Sequence, residues 1–206
     1  MMPPVASAPE TLTLSRRLSP EQALRRSAVV EAARALARAG GYTAVTMQAV
    51  AERSGVGRAT LYRYFASKDH LLGEVALAWG AELTDALRRR ELAADAPAER
   101  VAEVLLFVLD AARAEPELTS AVLAAATSPD PEAVRAGLRL GSLIGSYLAV
   151  ALGGAAGPEH EELAQLLGHV FFSALVHMTS GRLPPDAAAA SVRAAARRLF
   201  PQGAPR

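Results

Sequence analysis

From Ser19 to Phe200 the apolar residues return every three or four positions, and glycine or proline closes each run. That rhythm lines up one face of an α-helix, which turns once per about 3.6 residues. It fits no strand, whose side chains alternate faces every second residue. Alanine fills much of the remainder and favours helix, because ordering it costs no side-chain entropy. The chain therefore reads as all-α, with about nine helices.

Ser19-Pro20-Glu21-Gln22 announces the first helix, with Ser19 as cap, Pro20 at the first helical position and Gln22 reaching back. Gly40-Gly41 ends it. Thr46-Met47-Gln48 opens a second helix that Gly55 breaks, and a third runs from about Gly57 to Tyr64. Ser67-Lys68-Asp69 caps a longer fourth helix, which ends in Arg88-Arg89-Arg90, where cations favour the negative end of the helix dipole. A fifth carries Val101, Val104, Leu105, Val108, Leu109 and Ala112 as one stripe and closes at Pro116. Four more are expected over about 118–126, 132–152, 158–180 and 186–200. The first 18 residues, rich in proline and small polar groups, read as a disordered arm.

Charge is distributed unevenly. Residues 1–70 hold 10 Lys/Arg against 5 Asp/Glu, and residues 71–206 hold 12 against 16. A basic N-terminal third on a mildly acidic body is the footprint of a nucleic-acid-binding module attached to something else. The absence of cysteine excludes disulfides, thiolate zinc sites and cysteine nucleophiles, and it fits a reducing cytoplasm. No apolar run reaches the roughly 18 residues of a membrane span. The sequence MMPPVASAPE lacks the basic and apolar regions of a secretory signal.

Residues 46–65, TMQAVAERSGVGRATLYRYF, hold the densest signal: two short helices meeting at a tight turn, the first faced with small residues, the second basic. In a helix-turn-helix the second helix enters the major groove. The segment GYTAVTMQAVAERSGVGRATLYRYFASKDHLL resembles the TetR family of bacterial transcriptional regulators, with Thr60-Leu61-Tyr62-Arg63-Tyr64-Phe65 and Ser67-Lys68-Asp69 fitting without gaps. Gly57 departs from the serine or alanine common there. The resemblance implies a helix-turn-helix DNA-binding domain over 19–67 and a helical effector-binding and dimerisation domain over 68–206. Its partners would be a double-stranded DNA operator, a second copy of the chain and a small effector, with no membrane, metal or cofactor.

The DNA-contact candidates are Thr46, Gln48, Arg58, Thr60, Tyr62, Tyr64 and Lys68. Arg58 suits base readout, because a guanidinium grips a guanine edge with two hydrogen bonds. Gln48 reads as a base-edge or phosphate contact. Lys68 puts a cation at a helix N-terminus, where free N–H groups also favour phosphate. Tyr64 reads equally as phosphate contact or structural aromatic. Leu61 and Phe65 read as core. Arg25, Arg26, Arg34 and Arg38 read as a solvated helix face, of which the first two can steer DNA.

In the body, the glycine-serine pattern of Gly137, Gly141, Ser142, Gly145 and Ser146 either lets a neighbour approach or leaves space. Around it Trp79, Leu105, Leu109, Gly141, Ile144, Tyr147, Phe172, Leu175 and Met178 are pocket candidates, although the apolar ones also read as ordinary core. His169 and His177 lack a third ligand for zinc and read as structural or pocket residues. The stretches RAEPELTSAVLAAAT and GRLPPDAAAASVRAAARRLF resemble the branch of the family that controls steroid and lipid catabolism. That implies a bulky apolar effector, such as a sterol derivative or an acyl-CoA thioester. An enzyme would need paired acid–base groups or a nucleophile, and the sequence has no such constellation. An effector-independent DNA-binding protein and an activator remain as alternatives to a repressor.

Overall fold

The computed structural model describes residues 18–153 and 158–200. The expected disordered arm lies, up to residue 17, outside the described residues. Among the described residues there are nine helices and no strand: α1 (Pro20–Ala44), α2 (Met47–Ser54), α3 (Arg58–Tyr64), α4 (Lys68–Arg88), α5 (Pro97–Ala114), α6 (Pro116–Ala126), α7 (Pro131–Leu152), α8 (Pro158–Thr179) and α9 (Pro185–Leu199).

Local chemistry sets most boundaries. Ser19 Oγ accepts from the Gln22 N–H at 3.2 Å, and Gln22 Oε1 accepts from the Ser19 N–H at 3.0 Å, so two orphan donors of α1 are satisfied reciprocally. Thr46 and Ser67 cap α2 and α4 through the N–H groups of Ala49 and His70. Asp130 caps α7 through Glu132 and Ala133. Helical geometry breaks within α1 at Gly40-Gly41. Gly41 takes φ +64° and ψ −156°, a conformation that only glycine adopts without strain. A Cβ there would also stand 2.8 Å from the Glu117 carboxylate.

α1, α2 and α3 form a head, and α4 runs from it into the body, packing on α1, α6 and α7. Two cores result. One joins Val29, Ala33, Val50, Leu61 and Phe65 of the head to Leu71, Leu72 and Val75 of α4 and to Leu118 and Ala121 of α6. The other gathers Val101, Leu105 and Leu109 of α5 with Tyr147 and Leu148 of α7, Leu167 and Phe171 of α8, and Val192 of α9. Residue 67 therefore marks a change of helix within one continuous apolar cluster.

Two of the four arginines of α1, Arg26 and Arg34, depart from the solvated face expected of them. Arg34 is buried and forks onto Glu82 of α4 at 2.6 and 2.8 Å. Arg38 bonds Glu115 at 2.6 Å. Arg26 pairs with Glu74 and lies over the Phe65 ring, 5.1 Å from its centroid. Glu74 is 9% exposed and also holds Arg139 of α7. One buried carboxylate thus ties α1, α4 and α7 together. Arg25, paired with Glu21, and Arg38 keep to the surface.

Candidate nucleic-acid interface and effector cleft

The turn between α2 and α3 rests on Gly55, whose φ of +68° lets the chain reverse within three residues. Val50, Leu61 and Phe65 are fully buried beneath it. The helical period then forces the intervening side chains outward. Thr46, Gln48, Arg58 and Tyr62 are exposed, and Thr60 is half-buried. Arg58 stands at the first position of α3, and the cap before it, Gly57, supplies no side-chain bond. The Gln48 amide donates to Glu52 at 3.0 Å along α2.

Two candidates sit deeper than a surface contact requires. Tyr64 is 7% exposed, edge-on to Phe65 at 6.4 Å, and its hydroxyl has no partner among the described residues. Lys68, the only lysine of the chain, folds back onto the head: its ammonium lies 3.3 Å from the Tyr42 ring centroid and donates to the Tyr42 carbonyl at 3.1 Å. Burial lowers its pKa, against the opposing pull of Asp69. The Tyr42 hydroxyl donates to Asp69 at 2.7 Å, and Ser128 donates to the other oxygen of Asp69 at 2.6 Å. The N-terminus of α4 is therefore bonded both to the head and to the loop before α7.

A cleft of about 1340 Å³ opens in the body, walled by α4, α6, α7 and α8 with a minor share from α5. Trp79, Gly141, Ile144, Tyr147, Phe172 and Leu175 line it, as the sequence predicts. Leu105, Leu109 and Met178 do not. The two α5 leucines are turned into the lower core and buried, Met178 packs on that same core, and only Val108 and Ala112 of α5 reach the cleft. The apolar spacing is common to both settings, so it cannot tell which neighbour covers a given residue. Sequence reasoning also misses Leu83, Val134, Leu138, Glu161 and Glu162 of the lining. Val134 and Leu138 precede Gly141 and Gly145 at three- and four-residue steps, the one signal that links them.

The glycines divide into two roles. A Cβ on Gly137, Gly141 or Gly145 meets nothing within 4 Å, so these residues leave space. On α4, a Cβ at Gly73 would stand 2.6 Å from Ala136 Cβ, and one at Gly80 would stand 2.2 Å from Leu143 Cδ1, so these let α7 approach. The Tyr147 hydroxyl donates to the Gly80 carbonyl at 3.4 Å, and burial pushes the phenol pKa up to about 12. His169 lines the cleft from α8, whereas His177 is exposed near the end of that helix. No helix among the described residues is long and apolar enough to cross a membrane.

Comparison with known proteins agrees with this architecture. Residues 29–75 match the family model of bacterial regulatory proteins of the TetR family, and residues 94–199 match that of a tetracyclin repressor-like C-terminal domain. The HTH-type transcriptional repressor KstR of Rhodococcus jostii is 37% identical over 153 residues, which cover 74% of this chain and 71% of the relative. A TetR transcriptional regulator from Rhodococcus sp. RHA1 superposes with a TM-score of 0.81 at 25% identity, over 89% of this chain and 100% of that one. The fold is also that of Thermus thermophilus FadR, a TetR-family repressor solved with lauroyl-CoA, with a TM-score of 0.69 at 21% identity, over 88% and 96% of the two chains. The chain belongs to the TetR family of bacterial transcriptional regulators.

Proposed function

We propose that this protein is a homodimeric repressor that grips a pseudo-palindromic operator with α3 and lets go when a bulky apolar effector enters the cleft. One observation carries the reading: α4 is bonded to the head at Asp69 and Lys68, and the same helix walls the cleft at Trp79, Gly80 and Leu83. A molecule that displaces Trp79 shifts the helix that holds the head. Such a ligand acts only through its difference in affinity for the gripping and released forms, typically about 1–3 kcal/mol, or roughly 5–150-fold in operator affinity.

In this reading Arg58 reads a base edge and Gln48 a base edge or phosphate, with Thr46, Thr60 and Tyr62 beside them. Tyr64 and Lys68 act from the head's interior, shaping the face as well as reaching phosphate. The outward sides of α8 and α9 supply the dimer axis. Exposed Leu166 on α8, which lies outside the cleft lining, supports this, since such residues are commonly covered in an assembly. The resemblance to the branch controlling steroid and lipid catabolism, together with the KstR relative, supports a sterol derivative or a long acyl group as effector. An effector-independent DNA-binding protein would have no use for a cleft of this size.

The test is to select bound fragments of genomic DNA, label the recovered operator and follow its fluorescence anisotropy with protein, salt and candidate effectors. Binding should weaken steeply with salt. A body that binds no apolar ligand, or a chain that sediments as a monomer on its operator, overturns the reading.

A further inference from the structure

A second recess, which shares no lining residue with the cleft, opens at the C-terminal end of α4. It encloses about 370 Å³, a size at which pockets take small molecules. Arg88 and Arg90 line it from the end of α4, Arg100 from the first turn of α5 and Val150 from α7, with Leu92 and one carboxylate, Asp95, from the loop between α4 and α5. The helix dipole accounts for Arg88 and Arg90, which stand where α4 ends, and each has an acidic neighbour, Asp85 at 3.3 Å and Glu103 at 3.8 Å. It does not account for Arg100, since a cation on the first turn of a helix meets the positive end of the dipole. Arg100 Nε is shut off from solvent and has no hydrogen-bond partner among the described residues. The acidic residues beside it on α5 are engaged elsewhere: Glu99 accepts from Arg197 at 2.7 Å, and Glu103 from the Ala93 and Ala94 N–H groups at 3.0 and 3.3 Å. Arg100 Nη2 reaches the end of α7, where a Cβ on Gly153 would stand 3.7 Å away, so α7 orients the guanidinium.

We propose that this recess binds the phosphate group of a small phosphorylated metabolite, with Arg90 and Arg100 as donors and Leu92 and Val150 against the organic part. Guanidinium groups match phosphate with paired, charge-assisted hydrogen bonds. A partly buried cation without a partner gains most from such an anion, because its desolvation is already complete. Three arginines against one carboxylate leave a surplus that suits a dianion, and a phosphate monoester is close to one at pH 7. The apolar side chains and the volume beyond one phosphate favour the ester over inorganic phosphate. Seated there, the ligand ties the foot of α4 to α5 and α7, at the end of α4 opposite the head.

The experiment uses the full chain without DNA, titrated by calorimetry at constant ionic strength with glucose 6-phosphate, inorganic phosphate and glucose. Glucose 6-phosphate is expected to saturate near about 1 mM and to raise Tm with its concentration. Inorganic phosphate should bind more weakly and glucose not at all. Arg100→Gln should weaken the ester about tenfold, the loss of one charge-assisted bond at a partly screened site. Asp95→Asn removes the opposing charge and should tighten it a few-fold at low salt. Arg90→Gln provides a second loss should Arg100→Gln unfold the corner, which circular dichroism reports. An ester that does not saturate, or that binds no better than inorganic phosphate, overturns the proposal. Binding that survives both Arg100→Gln and Arg90→Gln unchanged does so too, since the phosphate then sits elsewhere, as on the basic head.

Discussion

Replacing Glu74 with alanine leaves the guanidinium groups of Arg26 and Arg139 facing each other without the carboxylate between them. Glu74 is 9% exposed, so both bonds form at a largely desolvated oxygen pair. A hydrogen bond to a charged group is worth about 1.5–3 kcal/mol, but solvent screens an exposed partner. The side chain of Arg139 is 57% exposed and that of Arg26 31% exposed, so the first pair counts for well under the quoted range and the second for its lower end. The loss should be about 2 kcal/mol in all. For a chain of this size that is a fall in Tm of about 4–8 °C. Urea denaturation and calorimetry at one fixed protein concentration check it, because dimerisation makes Tm concentration-dependent. Arg139→Ala alone keeps the Arg26 pair and should cost about 1 kcal/mol or less. Combining Arg26→Ala with Arg139→Ala should depart from additivity, since both act on one carboxylate. If Glu74→Ala unfolds within about 0.5 kcal/mol of the parent, the hub contributes nothing net and the reasoning fails.

Other outcomes follow from single positions. Gly73→Ala forces a methyl against Ala136 and should cost about 1–3 kcal/mol from overpacking, offset in part by about 1 kcal/mol of helix propensity; unchanged urea stability would refute the close approach. Gly141→Leu projects into open space, so the fold should hold while the effector response is lost or mimicked, as read by operator anisotropy. Arg58→Ala should cost roughly 1–3 kcal/mol per half-site and relax base preference at one position, measured on a panel of operator variants. Burial disfavours the phenolate of Tyr147, so the stability it confers is complete below its unfolded pKa near 10 and is lost as pH rises towards about 12. Tyr147→Phe should remove one late step from the absorbance titration at alkaline pH.

Helix boundaries were legible because their causes are local. Ser19 and Gln22 are three residues apart, and Gly41 and Gly55 announce their own backbone conformations. The ion-pair partners of the α1 arginines were not legible for the opposite reason: Arg34 meets Glu82, and Arg38 meets Glu115, only once α4 and α6 have docked. The exposed face of the helix-turn-helix could be read from its period, because Leu61 and Phe65 fix which side is buried. The depth of Tyr64 and the fold-back of Lys68 onto Tyr42 could not, since each depends on a neighbour distant in the chain or on the angle between helices. For the cleft, a vacancy shows in the glycine ladder of α7, but its far wall on α8 comes from residues about 20 positions onward.

The apolar cluster that crosses residue 67 limits how this architecture can be taken apart. Cut at that residue, a head fragment would bare the sides of α1 that α4 and α6 now cover, and it would lose the anchor for Tyr42 as well. A regulator assembled by grafting this head onto a foreign body must carry the first turns of α4 and a surrogate for Leu118 and Ala121, or find both in the recipient. The unit of exchange is thus larger than the unit of recognition, and new ligand specificities are reached more readily by altering the α7 and α8 sides of the cleft than by replacing the body whole.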